Sequence, residues 1–194
     1  MSAQPDLEPL KEYARANKPT VVLDTNIIIR CEKSKVLTEA CALLDVRICD
    51  TVYWEFLRNV NIDRFRERRT FLSSWHASDF LQEKMIIRED NAVTAMYLRL
   101  FILLLSVHSH SPESILGFVS PDLWISAAAV EHRYDHVLTE NRADFPPSLF
   151  DTIVTLATDP KVYLLRFKRK EAQDTWIRLI DDPAITLNVK GSLS

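Results

Sequence analysis

Val21-Val22-Leu23-Asp24-Thr25-Asn26 is the stretch on which the fold turns. Two valines and a leucine without polar alternation predict a strand covered on both faces, as strands of parallel sheets are. The abrupt change to Asp-Thr-Asn predicts that this strand, residues 20 to 24, ends there and delivers a carboxylate to its C-terminal edge. Open α/β sheets hold their chemistry at that edge.

The chain on either side repeats the alternation of strand and helix. Residues 34 to 44 carry Val36, Leu37, Ala40, Cys41 and Leu44 at helical spacing, and Val46 to Cys49 predict a second strand. Asp50 or Thr51 is expected to cap the next helix, which holds Trp54, Glu55, Phe56 and Leu57 and is open to continuation through Arg58 to Arg69. From Phe71 to Ser109 the pattern is mainly helical, with a break expected near Ile86 to Asp90, and His108 to Gly117 form a polar loop. Ser120-Pro121 marks a helix start, because serine caps and proline at the first helical position gives up no needed hydrogen bond. Asp122 then falls in the first turn. His136 to Thr139 predict a short strand, followed by Asn141-Arg142-Ala143-Asp144-Phe145-Pro146. Strands separated by helices need crossover connections, so the expected class is α/β with a mainly parallel sheet.

Composition narrows what such a fold does here. The chain has 194 residues, 47% of them hydrophobic, enough for one well-buried domain. A formal net charge of -3 argues against polyanion binding by bulk charge, so contact with nucleic acid must come from local basic patches. Only two glycines are present. Dinucleotide fingerprints, phosphate-cradling loops and Gly-x-Ser-x-Gly elbows therefore lose their anchors, and carboxylates remain as the carriers of chemistry. Cys31, Cys41 and Cys49 lack Cys-x-x-Cys spacing and read as buried thiols of a reducing cytoplasm. The histidines find no partner at ligand spacing: His108 and His110 are two apart in a polar loop, and His76, His132 and His136 stand singly. Residues 1 to 20 lack the apolar core of a signal sequence, and Leu98 to Val107, interrupted by Arg99, falls short of the roughly 20 residues that span a bilayer. A cytoplasmic protein without a membrane segment is expected.

Asp24-Thr25-Asn26, Glu55 in Tyr53-Trp54-Glu55-Phe56-Leu57, Asp122 in Pro121-Asp122-Leu123-Trp124-Ile125-Ser126-Ala127-Ala128, and Thr139-Glu140-Asn141-Arg142-Ala143-Asp144-Phe145 follow one another in an order that resembles the motifs of the PIN-domain ribonucleases. The Thr-x-Asn-x-x-Asp-Phe block is the most specific, and the resemblance covers residues 20 to 160. It implies a PIN-like three-layer α/β/α sandwich, a Mg²⁺ or Mn²⁺ site and cleavage of RNA. Many small PIN proteins are VapC-type toxins held inactive by an antitoxin, which makes a toxin of a type II pair the expected setting, with an antitoxin and a second copy of the chain as expected partners.

Physical chemistry reaches the same chemistry without the resemblance. Carboxylates converging at one sheet edge repel, and such a cluster is stable and ionised only with cations in it. Hard oxygen donors suit Mg²⁺ or Mn²⁺, which polarise both water and phosphodiester. Asp24, Glu55, Asp122 and Asp144 are the expected catalytic residues, with Asp24, Asp122 and Asp144 on the metal and Glu55 orienting the attacking water. Thr25, Asn26, Thr139 and Asn141 are expected to fix those carboxylates by hydrogen bonds. For the RNA backbone, Arg58, Arg64 and Arg68 form one basic patch and Lys168 and Arg169 a second, with Arg142 inside the acidic motif. Each acid also has a plainer reading, such as an Asx turn at Asp24 or a favourable helix dipole at Asp122.

Three features depart from a compact toxin: residues 1 to 19 precede the first strand, a long interval separates Glu55 from Asp122, and residues 161 to 194 add a basic strand and a helix around Glu171 to Ile180, expected to pack on the same domain. The alternatives are a non-catalytic PIN-like module that binds RNA or protein, and a PIN nuclease of RNA processing rather than a toxin.

Overall fold

The computed structural model describes residues 6–31, 33–58, 63–64, 66–68, 70, 86–87, 90–107 and 121–181. The strands are β1 Thr20–Leu23, β2 Asp45–Cys49, β3 Ile86–Ile87, β4 His136–Thr139, β5 Phe150–Leu156 and β6 Val162–Phe167. They form one open sheet in the order β3-β2-β1-β4-β6-β5. β1 pairs in parallel with β2 and β4, and β2 with β3, whereas β6 runs antiparallel to both β4 and β5. The molecule is therefore mixed α/β, with β1 and β4 in the interior of the sheet.

The burial of β1 explains its position. Val21, Val22 and Leu23 are all fully buried although successive strand residues face opposite ways, so both faces of the sheet are covered there. Thr25–Cys31 (α2), Lys35–Ala42 (α3) and Asp50–Leu57 (α4) lie between and after β1 and β2, and Asn91–Val107 (α5) and Pro121–Glu131 (α6) precede β4. Ser34 caps α3 by accepting from the Leu37 amide at 3.4 Å. In α6 residues Ile125, Ala127, Ala128, Ala129 and Val130 are buried, and the run of alanines lets its backbone approach both β1 and β4. Tyr97 of α5 stacks on Trp124 of α6 with ring centroids 4.3 Å apart.

Both expected extensions take part in this architecture. Glu8–Asn17 (α1) buries Leu10 and Ala14 one helical turn apart, and the Tyr13 hydroxyl meets His136 Nε2 at 2.8 Å at the start of β4. β6 is inserted between β4 and β5, and Arg169–Asp181 (α7) follows it. Phe145, Phe150 and Phe167 pack edge to face, with centroids 5.4 and 5.5 Å apart, and join the loop after β4 to the β5/β6 pair.

Several sequence expectations are corrected. Cys49 precedes α4, without a side-chain capping bond, so neither Asp50 nor Thr51 is the cap. The same helix stops at Leu57, because Arg58 turns extended (φ -70, ψ 147) rather than continuing the helix. β5 lies where no strand was expected. The break near residue 86 contains the two-residue β3, too short to leave a periodic signal. The helical reading of 71 to 85 and the polar loop from His108 to Gly117 lie outside the described residues. No helix among the described residues is long and apolar enough to cross a membrane.

Candidate active site

Sheet register places the first two members of the site. Leu23 of β1 is paired with Leu138 of β4, so the next residues, Asp24 and Thr139, emerge side by side at the C-terminal edge. The Asp24 amide donates to the Leu138 carbonyl at 3.0 Å, and the Thr139 hydroxyl donates to Asp24 Oδ2 at 2.6 Å. Asp24 is only 3% exposed, and its Oδ1 faces the Asn26 amide at 3.4 Å, a long Asx contact at the start of α2. Thr139 also accepts from the Asn141 amide at 3.0 Å. One hydroxyl thus fixes both the Asp24 carboxylate and the turn that carries Asp144.

The other carboxylates arrive from separate elements. Glu55, in the second turn of α4, accepts from the buried Thr25 hydroxyl at 2.5 Å, which ties α4 to the residue after Asp24. Asp122 sits in the first turn of α6. Asp144 closes a 3-10 turn, Arg142–Asp144, and takes a short hydrogen bond from the Asn141 side chain. Thr25, Thr139 and Asn141 each donate a side-chain hydrogen bond to a carboxylate, while Asn26 contributes its backbone amide.

Electrostatics link the acids into one group. Burial raises the Asp24 carboxyl from 3.8 to about 6, and the charges of Asp122 and Glu55 push in the same direction against the Thr139 and Asn26 hydrogen bonds. Burial likewise raises Asp144 to about 6, aided by the charge of Asp122 and by a hydrogen bond shared with it, and opposed by Asn141. The charge of Asp122 is felt by both. Among the described residues no group of three or more His, Cys, Asp or Glu side chains is close enough together to hold a metal ion. The donor chemistry is that of a hard divalent cation: it is all oxygen, and Mg²⁺ is ordinarily held by one or two carboxylates with water completing its shell.

The basic residues read as an RNA path are mostly engaged in the fold. Arg142 donates to Thr152 Oγ1 and the Phe150 carbonyl, each at 3.0 Å, and to the Phe145 carbonyl, so it anchors the Asp144 turn to β5. Arg68 donates to the Phe56 carbonyl at 2.6 Å and lies over the Phe56 ring. Arg64 pairs with Glu67 and Lys168 with Asp151, both at 3.0 Å, and Arg169 grips Asp135 and the Val130 carbonyl. Arg58 is exposed at the end of α4. Glu140 pairs with Arg30 at 2.7 Å. Cys31, Cys41 and Cys49 are buried and form no disulfide, and the Cys31 and Cys41 sulfurs lie 3.9 Å apart.

Sequence reasoning did not single out Trp54, which lies next to Glu55 and is 62% exposed. An aromatic residue preceding a candidate catalytic acid was its available signal. No family model, curated protein or solved structure matches the chain.

Proposed function

We propose that the chain is a PIN-like endoribonuclease, dependent on Mg²⁺ or Mn²⁺, that hydrolyses RNA phosphodiester bonds. The observation that carries this reading is that Asp24, Glu55, Asp122 and Asp144 come from separate elements and are electrostatically linked: Asp24 is raised chiefly by burial and further by Asp122 and Glu55, and Asp144 chiefly by burial and further by Asp122. Crowding of like charges in a partly buried place costs stability unless a cation or a proton relieves it. In this reading Asp24, Asp122 and Asp144 hold the cation, and Thr139 and Asn141 keep two of those carboxylates in place. Once bound, the cation supplies Lewis-acid stabilisation of charge on the phosphodiester. Glu55, exposed and fixed at one oxygen by Thr25, keeps its other oxygen for orienting the attacking water.

The biological setting we propose is the toxin of a type II toxin-antitoxin pair, acting in the cytoplasm with an antitoxin as inhibitor and a second copy of the chain as partner. Two tests separate the layers. A panel of single-stranded RNAs incubated with EDTA, Mg²⁺ or Mn²⁺ should be cut only with metal, and Asp24→Asn should abolish cutting while leaving the melting curve cooperative. Expression of the chain alone should arrest growth, and Asp24→Asn should relieve the arrest. Cutting without arrest would retain the nuclease and remove the toxin. A folded, inhibitor-free chain that cuts no RNA with any metal would replace the enzyme with a binding module.

A further inference from the structure

Trp54 is 62% exposed, against the tendency of so large an apolar side chain to be mostly buried. It sits in α4, whose Val52, Phe56 and Leu57 face the core, so the helix has enough apolar residues to anchor it without the indole. Tyr53, half-buried, packs edge-on against Trp54 with ring centroids 5.1 Å apart, which braces the indole from one side. The next residue is Glu55, tied through Thr25 to the start of α2 and felt electrostatically at Asp24. One turn further along stands the exposed Arg58. Arg58 is the residue at which the chain leaves α4, so a cation follows the indole within one turn of sequence.

We infer that Trp54 is a stacking platform for an unpaired nucleobase of the RNA strand whose backbone passes the acidic site, with Arg58 meeting an adjacent phosphate. This rests on the nuclease reading and deepens it, because it assigns Trp54 as the residue that engages the RNA strand through a base face. An aromatic ring with a cation beside it is how proteins hold single strands without reading sequence, since every base offers a π-face. Bases paired and stacked within a duplex would not be free to lie on the indole. A duplex should therefore gain nothing from Trp54.

The test compares the full chain with Trp54→Ala and Trp54→Tyr on a single-stranded RNA with a mapped cut, and on the same strand lacking one base beside the cut. Trp54→Ala should raise KM about tenfold with kcat nearly unchanged, and Trp54→Tyr should recover most of the loss. Removing the base should weaken the unmutated chain by a similar factor and leave Trp54→Ala almost unaffected. Equal loss on both strands, or none, would overturn the platform, as would a dimer that Trp54→Ala dissociates while RNA affinity stays unchanged. Asp24→Asn, run alongside, keeps the two ideas apart: if it still cuts, the nuclease reading falls, and if it is inert while Trp54→Ala behaves as unmutated protein, only the platform falls. A fluorescence titration in the Asp24→Asn background needs no turnover. Single-stranded RNA should quench tryptophan emission there, substitution of Trp54 by tyrosine should remove most of that quenching while keeping most of the binding, and Trp54→Ala should weaken binding.

Discussion

Thr139 is the side chain on which the candidate site most depends after the acids themselves. Its hydroxyl holds Asp24 at 2.6 Å and favours the charged carboxylate against burial. Thr139→Val keeps the shape and removes the donor, so Asp24 should take up a proton more readily and bind a cation less well. Loss of such a supporting bond ordinarily costs about 10- to 100-fold in metal affinity. A Mg²⁺ titration of RNA cleavage should therefore shift to higher concentration, whereas Thr139→Ser should stay near the original midpoint. An unchanged midpoint in Thr139→Val would remove Thr139 from the site. At this scale the sequence was informative about acids and hydroxyls, because residues that end neighbouring parallel strands must emerge together. It was poor on arginines. Arg142 and Arg68 donate to backbone carbonyls whose proximity exists only after folding, so neither could be told from a phosphate ligand in advance.

Among the elements, the β5/β6 pair bears most on the acidic turn. Fully buried Phe145, adjacent to Asp144, packs on Phe150 of β5. Phe145→Ala should cost about 3–5 kcal/mol in urea unfolding, as large-to-small core changes do. β1 and β4 were legible because they are short apolar runs ending in polar residues. β5 was not, for a visible reason: its register shifts between Thr152 and Val154, which breaks the two-residue alternation that marks a strand. β6 was read as an addition because it follows the matching motifs, yet it lies between β4 and β5. Deleting residues 161 to 194 would leave an edge of β4 open and β5 without its partner. The truncated chain should lose cooperative thermal unfolding, and a sharp transition in it would contradict this placement.

At the scale of the molecule, the acids set stability against function. A carboxyl whose pKa rises from 3.8 to about 6 on folding binds its proton more tightly in the folded chain than in the unfolded one. Its contribution to stability is complete below 3.8 and is lost as pH rises toward about 6. The cation-free chain should therefore melt at progressively lower temperature across that window, apart from contributions of other groups that Asp24→Asn will not remove. Mg²⁺ competes with those protons, so its stabilisation should be larger at pH 7 than at pH 5. Comparable Mg²⁺-induced shifts at both values would argue that these acids do not hold it. The helices and strands that bring the acids together were largely visible as an alternating pattern, but the proximity of Glu55 to Thr25 is a property of the assembled fold.

Cation binding and RNA cutting must be one event if the four acids form a catalytic centre. Titrating Mn²⁺ into the purified chain at pH 7, with bound Mn²⁺ followed by electron paramagnetic resonance and RNA cleavage measured on the same samples, tests this directly. The two curves should share a midpoint, and Asp24→Asn should abolish both. Cleavage that persists in EDTA, or that Asp24→Asn leaves intact, would contradict the account.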